Sequence, residues 1–158
     1  MAIKNYTTTV PANRSIEEIQ RALVANGATG VLYEYEKATG RIAALKFILI
    51  LEDKQVGFAL PVEWRRFQQV LKNDHELEHQ GRRSRTKPRY MDEDYVYRVA
   101  WRCLRDWVLA QMALYATQIV DMPQIFLPFA VGKDGTTFYE QVMEGKFLLK
   151  GGKDEDWH

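Results

Sequence analysis

The stretch from Asp92 to Val120, DEDYVYRVAWRCLRDWVLAQMALYATQIV, constrains the fold more than any other part of the chain. Val96, Val99, Ala100, Cys103, Leu104, Trp107, Val108, Met112, Tyr115 and Ile119 recur at three- and four-residue spacing, the period of one helix face. Asp92 can accept hydrogen bonds from the open N–H groups of a first turn. Glu93 and Asp94 bring negative charge to the positive end of the helix dipole, and Pro123 closes the far end. Arg98, Arg102 and Arg105 mark the opposite side. The pattern predicts one long central amphipathic helix over about 92–120 with a basic outer face. It puts Leu104 and Trp107 against a sheet and Arg98 and Arg105 in solvent, so that removing the Trp107 ring costs about 3–5 kcal/mol.

The segments before this helix carry the periods of a sheet. Ile3 to Val10 alternates weakly and is rich in threonine, which predicts a short strand ended by Pro11. Ser15, three residues before Glu18, has capping-box spacing and predicts a helix start, with Ile16, Ile19, Leu23 and Val24 as its stripe and Asn26-Gly27 as its stop. GVLYEYE sets Val31, Tyr33 and Tyr35 against Leu32, Glu34 and Glu36, and IAALKFILILED is apolar enough for a central strand. Asp53-Lys54 then links it to a third segment, QVGFALP. A helix follows from about Val62 towards His79, stopped by Gly81. After the long helix come the IFLPF run around Pro128, which reads as core packing or as a dimer contact, and a short helix starting at Thr136 or Thr137 and docked by Phe138, Val142 and Phe147. The order predicts an α+β fold, an antiparallel sheet of about four strands covered by helices. Residues 1–150 form one domain with an exposed basic loop at about 80–90, and 151–158 a flexible tail.

At 158 residues the chain suits one domain, and a formal net charge of +1 excludes wholesale attraction to polyanions, so any such attraction is local. The single Cys103 reads as a small buried hydrophobe. No run approaches the roughly 20 apolar residues of a membrane span, and MAIKNYTTTV lacks the apolar core of a secretion signal. The expectation is a cytoplasmic protein without a membrane partner.

Three features bear on function. His75-Glu76-Leu77-Glu78-His79 fits H-E-x-x-H and H-x-x-E-H, in which histidines one helical turn apart hold zinc and a glutamate acts as base. Its flanks are polar, and no third histidine lies nearby, Glu93 or Asp94 being the remaining candidates. We read the motif as a solvated helix end, and assign no catalytic residue and no cofactor. HQGRRSRTKPRY holds Arg82, Arg83, Arg85, Lys87 and Arg89 within eight positions, followed by Tyr90. Arginine and lysine neutralise phosphates and tyrosine stacks on bases, so this loop, extended by Arg98, Arg102 and Arg105, is a candidate nucleic-acid surface. Internal pairs from Asp94 to Arg98 and from Arg102 to Asp106 would compete for those charges. Lastly, helix, three strands and helix from SIEEIQ to RRFQQVLK is the order of a double-stranded-RNA-binding domain, although Glu63, Trp64, Arg65 and Arg66 replace the lysine cluster expected at the second helix. Tyr33 and Tyr35 offer a further stacking surface or pack under a helix.

MAIKNYTT, SIEEIQRALVANGATG, RVAWRCLRDWVLAQMAL, IFLPF and DGTTFYE together resemble a group of short uncharacterised proteins of bacteriophages and integrated mobile elements. The resemblance covers most of the chain and carries no catalytic motif. It implies an accessory protein acting in the bacterial host cytoplasm on nucleic acid or on a host protein. Nucleic-acid binding, antagonism of a host (defence) protein and zinc-dependent hydrolysis are therefore the readings to weigh, with homo-oligomerisation open.

Overall fold

In the computed structural model, which describes residues 2–83 and 85–145, five helices accompany a three-stranded antiparallel sheet. The elements are α1 (Ala12–Ala25), β1 (Gly30–Tyr35), β2 (Ile42–Leu51), β3 (Lys54–Pro61), α2 (Trp64–His79), α3 (Glu93–Ala116), α4 (Met122–Phe126) and α5 (Phe138–Met143). The sheet order is β1-β2-β3, and two 3₁₀ turns, Arg89–Met91 and Leu127–Phe129, connect helices. Phe147 and the tail 151–158 lie outside the described residues.

The sheet has an inner and an outer face because its strands alternate. Leu45, Phe47 and Leu49 of β2 point inward beside Phe58 and Leu60 of β3, with Phe47 opposite Phe58 and Leu45 opposite Leu60. The Phe47 and Phe58 rings stack at 5.2 Å, and Phe126 of α4 meets Phe47 edge-on at 5.0 Å. A register shift at Glu34/Tyr35 pairs Tyr35 with Ile42 and skips Ala43, so Ile42 and Leu45 both point inward. Tyr35, expected on the face of Val31 and Tyr33, is the last residue of β1 and is 61% exposed. Glu52 and Asp53, both at positive φ, form the β2–β3 turn, and Lys54 already pairs with Leu51; the connection sits one residue earlier than Asp53-Lys54.

Two sequence-based expectations fail at the N-terminus. The segment 3–10 is a turn with Thr8 N donating to Asn5 O, so the expected fourth strand is absent and the sheet of the described residues has three. Ile3 is instead buried with Trp64, Leu71 and Val96. Helix α1 begins at Ala12 rather than Ser15, because Pro11, at φ −57°, is already set for a helix start. Ser15 is therefore interior and fully buried, its Oγ without a hydrogen-bond partner, and Glu18 is released from capping to pair elsewhere.

The helix starts that do use side-chain caps are downstream. Asp92 accepts from the N–H groups of Asp94 and Tyr95 at the start of α3, while Asp121–Gln124 and Thr137–Glu140 form capping boxes for α4 and α5. Helix α3 ends at Ala116, short of 120, because Gln118 takes a left-handed conformation (φ 62°) and Ile119 is 72% exposed.

Its packing differs from the expected phase. Trp101, absent from the expected apolar band, is fully buried, whereas Trp107 and Leu104 are only partly buried. The Trp107 ring meets Phe126 and Phe129 edge-on, so most of the IFLPF run packs inward and Leu127 stays 47% exposed. Buried Tyr95, Val96, Val99 and Ala100 join one apolar cluster with α2, and buried Trp101, Val108 and Met112 join a second with α1 and the sheet. Trp101→Ala should therefore cost about 3–5 kcal/mol and exceed the cost of Trp107→Ala. Urea-denaturation midpoints of the two variants decide the ranking; a larger loss for Trp107→Ala reverses it.

Candidate functional site

The basic residues divide into two groups with different surroundings. On α3, Arg102 and Arg105 both reach Glu18 of α1, and Arg105 also meets Asp106. Arg98 is half-buried, its Nε enclosed and without a hydrogen-bond partner. The arginine side of α3 thus faces α1 rather than solvent, and Asp94 pairs with Arg41 instead of Arg98. The expected continuous basic strip from loop to helix is not formed. The cause lies in Glu18, which takes the two guanidiniums where a cap was expected and whose carboxyl is held below its ordinary range, chiefly by the hydrogen bond from Arg105.

Between α2 and α3 the arrangement is different. Arg82, Arg83, Arg85 and Lys87 are exposed, and among the described residues their side chains have no ion-pair or hydrogen-bond partner. The chain can hold them there because left-handed Gln80 and Gly81 end α2 abruptly and Pro88 enters a 3₁₀ turn, leaving a loop without regular structure. Arg89 lies over the ring of Tyr95 at 4.7 Å, and the carbonyl of Tyr90 accepts from Gln68 Nε2, which pins the end of the loop to α2. Tyr95 donates its hydroxyl to the carbonyl of Tyr6, and burial raises its pKa.

Beside this loop is a cavity of about 240 Å³, lined by Leu71, His75, Glu78 and His79 of α2, by 86–90, and by Tyr6 and Tyr95. The His75 and His79 rings lie 4.0 Å apart, tilted by 31°, and Tyr90 meets His75 edge-on at 5.5 Å. His79 Nδ1 is 2.9 Å from the His75 carbonyl oxygen, so one ring nitrogen is committed to the backbone. Among the described residues no group of three or more His, Cys, Asp and Glu side chains is placed to hold a metal ion. Glu93 and Asp94, the candidates for a third ligand, both bind Arg41. HELEH has zinc spacing, and its two imidazoles lie tilted against each other beside Tyr90. Sequence reasoning weighed the i,i+4 histidines as a ligand pair, read them as a solvated helix end, and overlooked Tyr6 and Tyr95, which reach the cavity from other elements.

The remaining candidates are structural in character. Cys103 is partly buried, and desolvation raises its thiol pKa, which favours the unreactive form. Tyr33 is half-buried and donates to Gln20 of α1. The helix–three strands–helix order is realised, but Arg65 at the start of α2 is paired with Glu36 and Arg66 with Glu63, so this end offers few unengaged cations to a duplex backbone. No helix among the described residues is long and apolar enough to cross a membrane. No family model, no curated protein and no solved structure matches the chain.

The pair between Glu36 and Arg65 joins the β1–β2 turn to α2, with Arg65 and Arg41 both over the Trp64 ring at 4.3 and 5.0 Å. Hydrogen bonds from Arg65, and then from Thr39, pull the Glu36 pKa from 4.5 down to about 2. A carboxylate whose folded pKa is depressed contributes stability that is complete above its unfolded pKa and is lost as pH falls through the folded one. Glu36→Gln should therefore lower stability at neutral pH and flatten its decline between about pH 5 and pH 2, measured by thermal unfolding across that range. An unchanged acid limb contradicts the assignment.

Proposed function

We propose that this chain is a nucleic-acid-binding accessory protein, of the kind carried by a phage or mobile element and acting in the cytoplasm of a bacterial host. The observation that carries the reading is the loop between α2 and α3, where Arg82, Arg83, Arg85 and Lys87 stand exposed, without ion-pair or hydrogen-bond partners among the described residues, next to Arg89 and Tyr90. Unengaged guanidinium and ammonium groups release counterions from a phosphate backbone on contact, and their local density compensates for a net charge of only +1. The contact surface is confined to 82–90, because Arg102 and Arg105 are spent on Glu18. Contacts of this kind position a strand without reading its sequence.

A second reading, a partner protein of the host, is supported by the outer face of the sheet. Leu32 and Ile50 are 58% and 52% exposed there, with Ile48 between them on β2 and the Lys46–Glu34 pair alongside. An apolar patch rimmed by charge is the usual form of a protein contact.

Fluorescence anisotropy against short single- and double-stranded DNA and RNA at several salt concentrations separates the two. On the nucleic-acid reading, log K falls against log salt by about 0.7 per phosphate contact for single strands and about 0.9 for duplex. Replacing Arg83, Arg85 and Lys87 together by alanine should flatten that slope by about two to three contacts' worth and leave the unfolding midpoint nearly unchanged, since the loop adds little to the core. Absence of binding at low salt removes the nucleic-acid reading and leaves the protein partner.

A further inference from the structure

Phosphate contacts need only exposed cations, yet the loop also closes one side of a cavity whose walls are mostly rings. Leu71, 5% exposed, lines it together with His75 and His79, whose rings are 4.0 Å apart and tilted by 31°, and Tyr90 lies edge-on to His75 at 5.5 Å. The cavity, about 240 Å³, is smaller than the roughly 300–1,000 Å³ of sites for drug-sized molecules, and suits a single planar ring system. Charge is unevenly placed around it. Lys87 and Arg89 stand on the loop side, whereas Glu78 on the helix side is an acceptor that repels phosphate. A flat aromatic ligand carrying an anion satisfies both walls at once, the ring on the imidazoles and the anion at the loop.

We infer that this cavity takes one unpaired nucleobase of a single-stranded nucleic acid, stacked on the His75–His79 pair beside Tyr90, with its phosphate at Lys87 and Arg89. The inference rests on the nucleic-acid reading and adds to it a preference for single strands. A base in a duplex must first leave its stack and its partner, and only an unpaired base enters without that cost. Every base has a π-face, so the site accepts bases with little regard to sequence.

The test compares three labelled ligands on the full chain: a single-stranded oligonucleotide, a base-free abasic phosphodiester strand with the same number of phosphates, and a duplex of the same length. The single strand should bind about 5- to 150-fold more tightly than the abasic strand, the range for one stacked base. His79→Ala and Tyr90→Ala should remove most of that difference, the single-strand affinity falling towards that of the abasic strand. A nuclear magnetic resonance titration of the wild-type protein with a mononucleotide checks the site without any substitution, the expected result being shifts of the His75 and His79 ring protons. Equal, salt-dependent binding of the single strand and the abasic strand, with unmoved histidine signals, overturns the pocket and keeps the phosphate reading. No binding of any ligand at low salt overturns both.

Discussion

Helix α3 is apolar on more than one side, and the rest of the architecture follows from the need to cover it. Tyr95, Val96, Val99 and Ala100 are buried with Trp64 and Leu71 of α2, while Trp101, Val108 and Met112 are buried with α1, the sheet and α4. Tyr97 packs against both clusters, and its hydroxyl accepts from the backbone N–H of Ile42 at 3.0 Å. A helix buried this widely cannot stand at a surface, and both α1 and α2 must lie against it. The three-stranded sheet alone would cover too little of it, which is why the N-terminal segment also runs over it, Ile3 in the core and Asn5 donating to Asp106.

Ion pairs fasten the pieces that this burial brings together, at three places. Glu18 on α1 gathers Arg102 and Arg105 of α3, Arg41 spans to Glu93 and Asp94 at the start of α3, and Glu36 holds Arg65 at the start of α2. Arg41 also places acid-bound positive charge beside the positive end of the α3 dipole, which Glu93 and Asp94 offset. These pairs engage Arg41, Arg65, Arg102 and Arg105, and so remove the arginine side of α3 from the surface open to a partner. Arg82, Arg83, Arg85 and Lys87, which have no ion-pair partner among the described residues, cluster on one loop, so an almost neutral chain has one basic edge.

That loop and the cavity beside it derive from the same turn. Left-handed Gln80 and Gly81 end α2 immediately after His79, and the chain returns through Pro88 to place Arg89 and Tyr90 over the face that carries Leu71, His75 and His79. A longer α2 would separate the cations from the rings. The juxtaposition of cation and aromatic, on which the functional proposal depends, is thus set by where one helix stops.

Local periodicity was sufficient to identify α1, the three strands, α2, α3 and a start of α5 at Thr136 or Thr137, of which Thr137 is the cap, because an amphipathic period and a capping side chain are properties of neighbouring residues. The exposed loop was legible for the same reason, since proline, glycine and clustered charge act locally. Sequence alone placed the start of α1 at Ser15, read a strand at 3–10, set Trp107 rather than Trp101 in the core, and pointed Arg102 and Arg105 to solvent. Each of those depends on a partner far along the chain: Glu18 for the arginines, the α2–α3 crevice for Ile3, and packing against α1 and the sheet for Trp101. The cavity is of the same kind, assembled from α2, the loop, Tyr95 and Tyr6, so only the tertiary structure could turn two histidines spaced for a metal into one wall of an aromatic site.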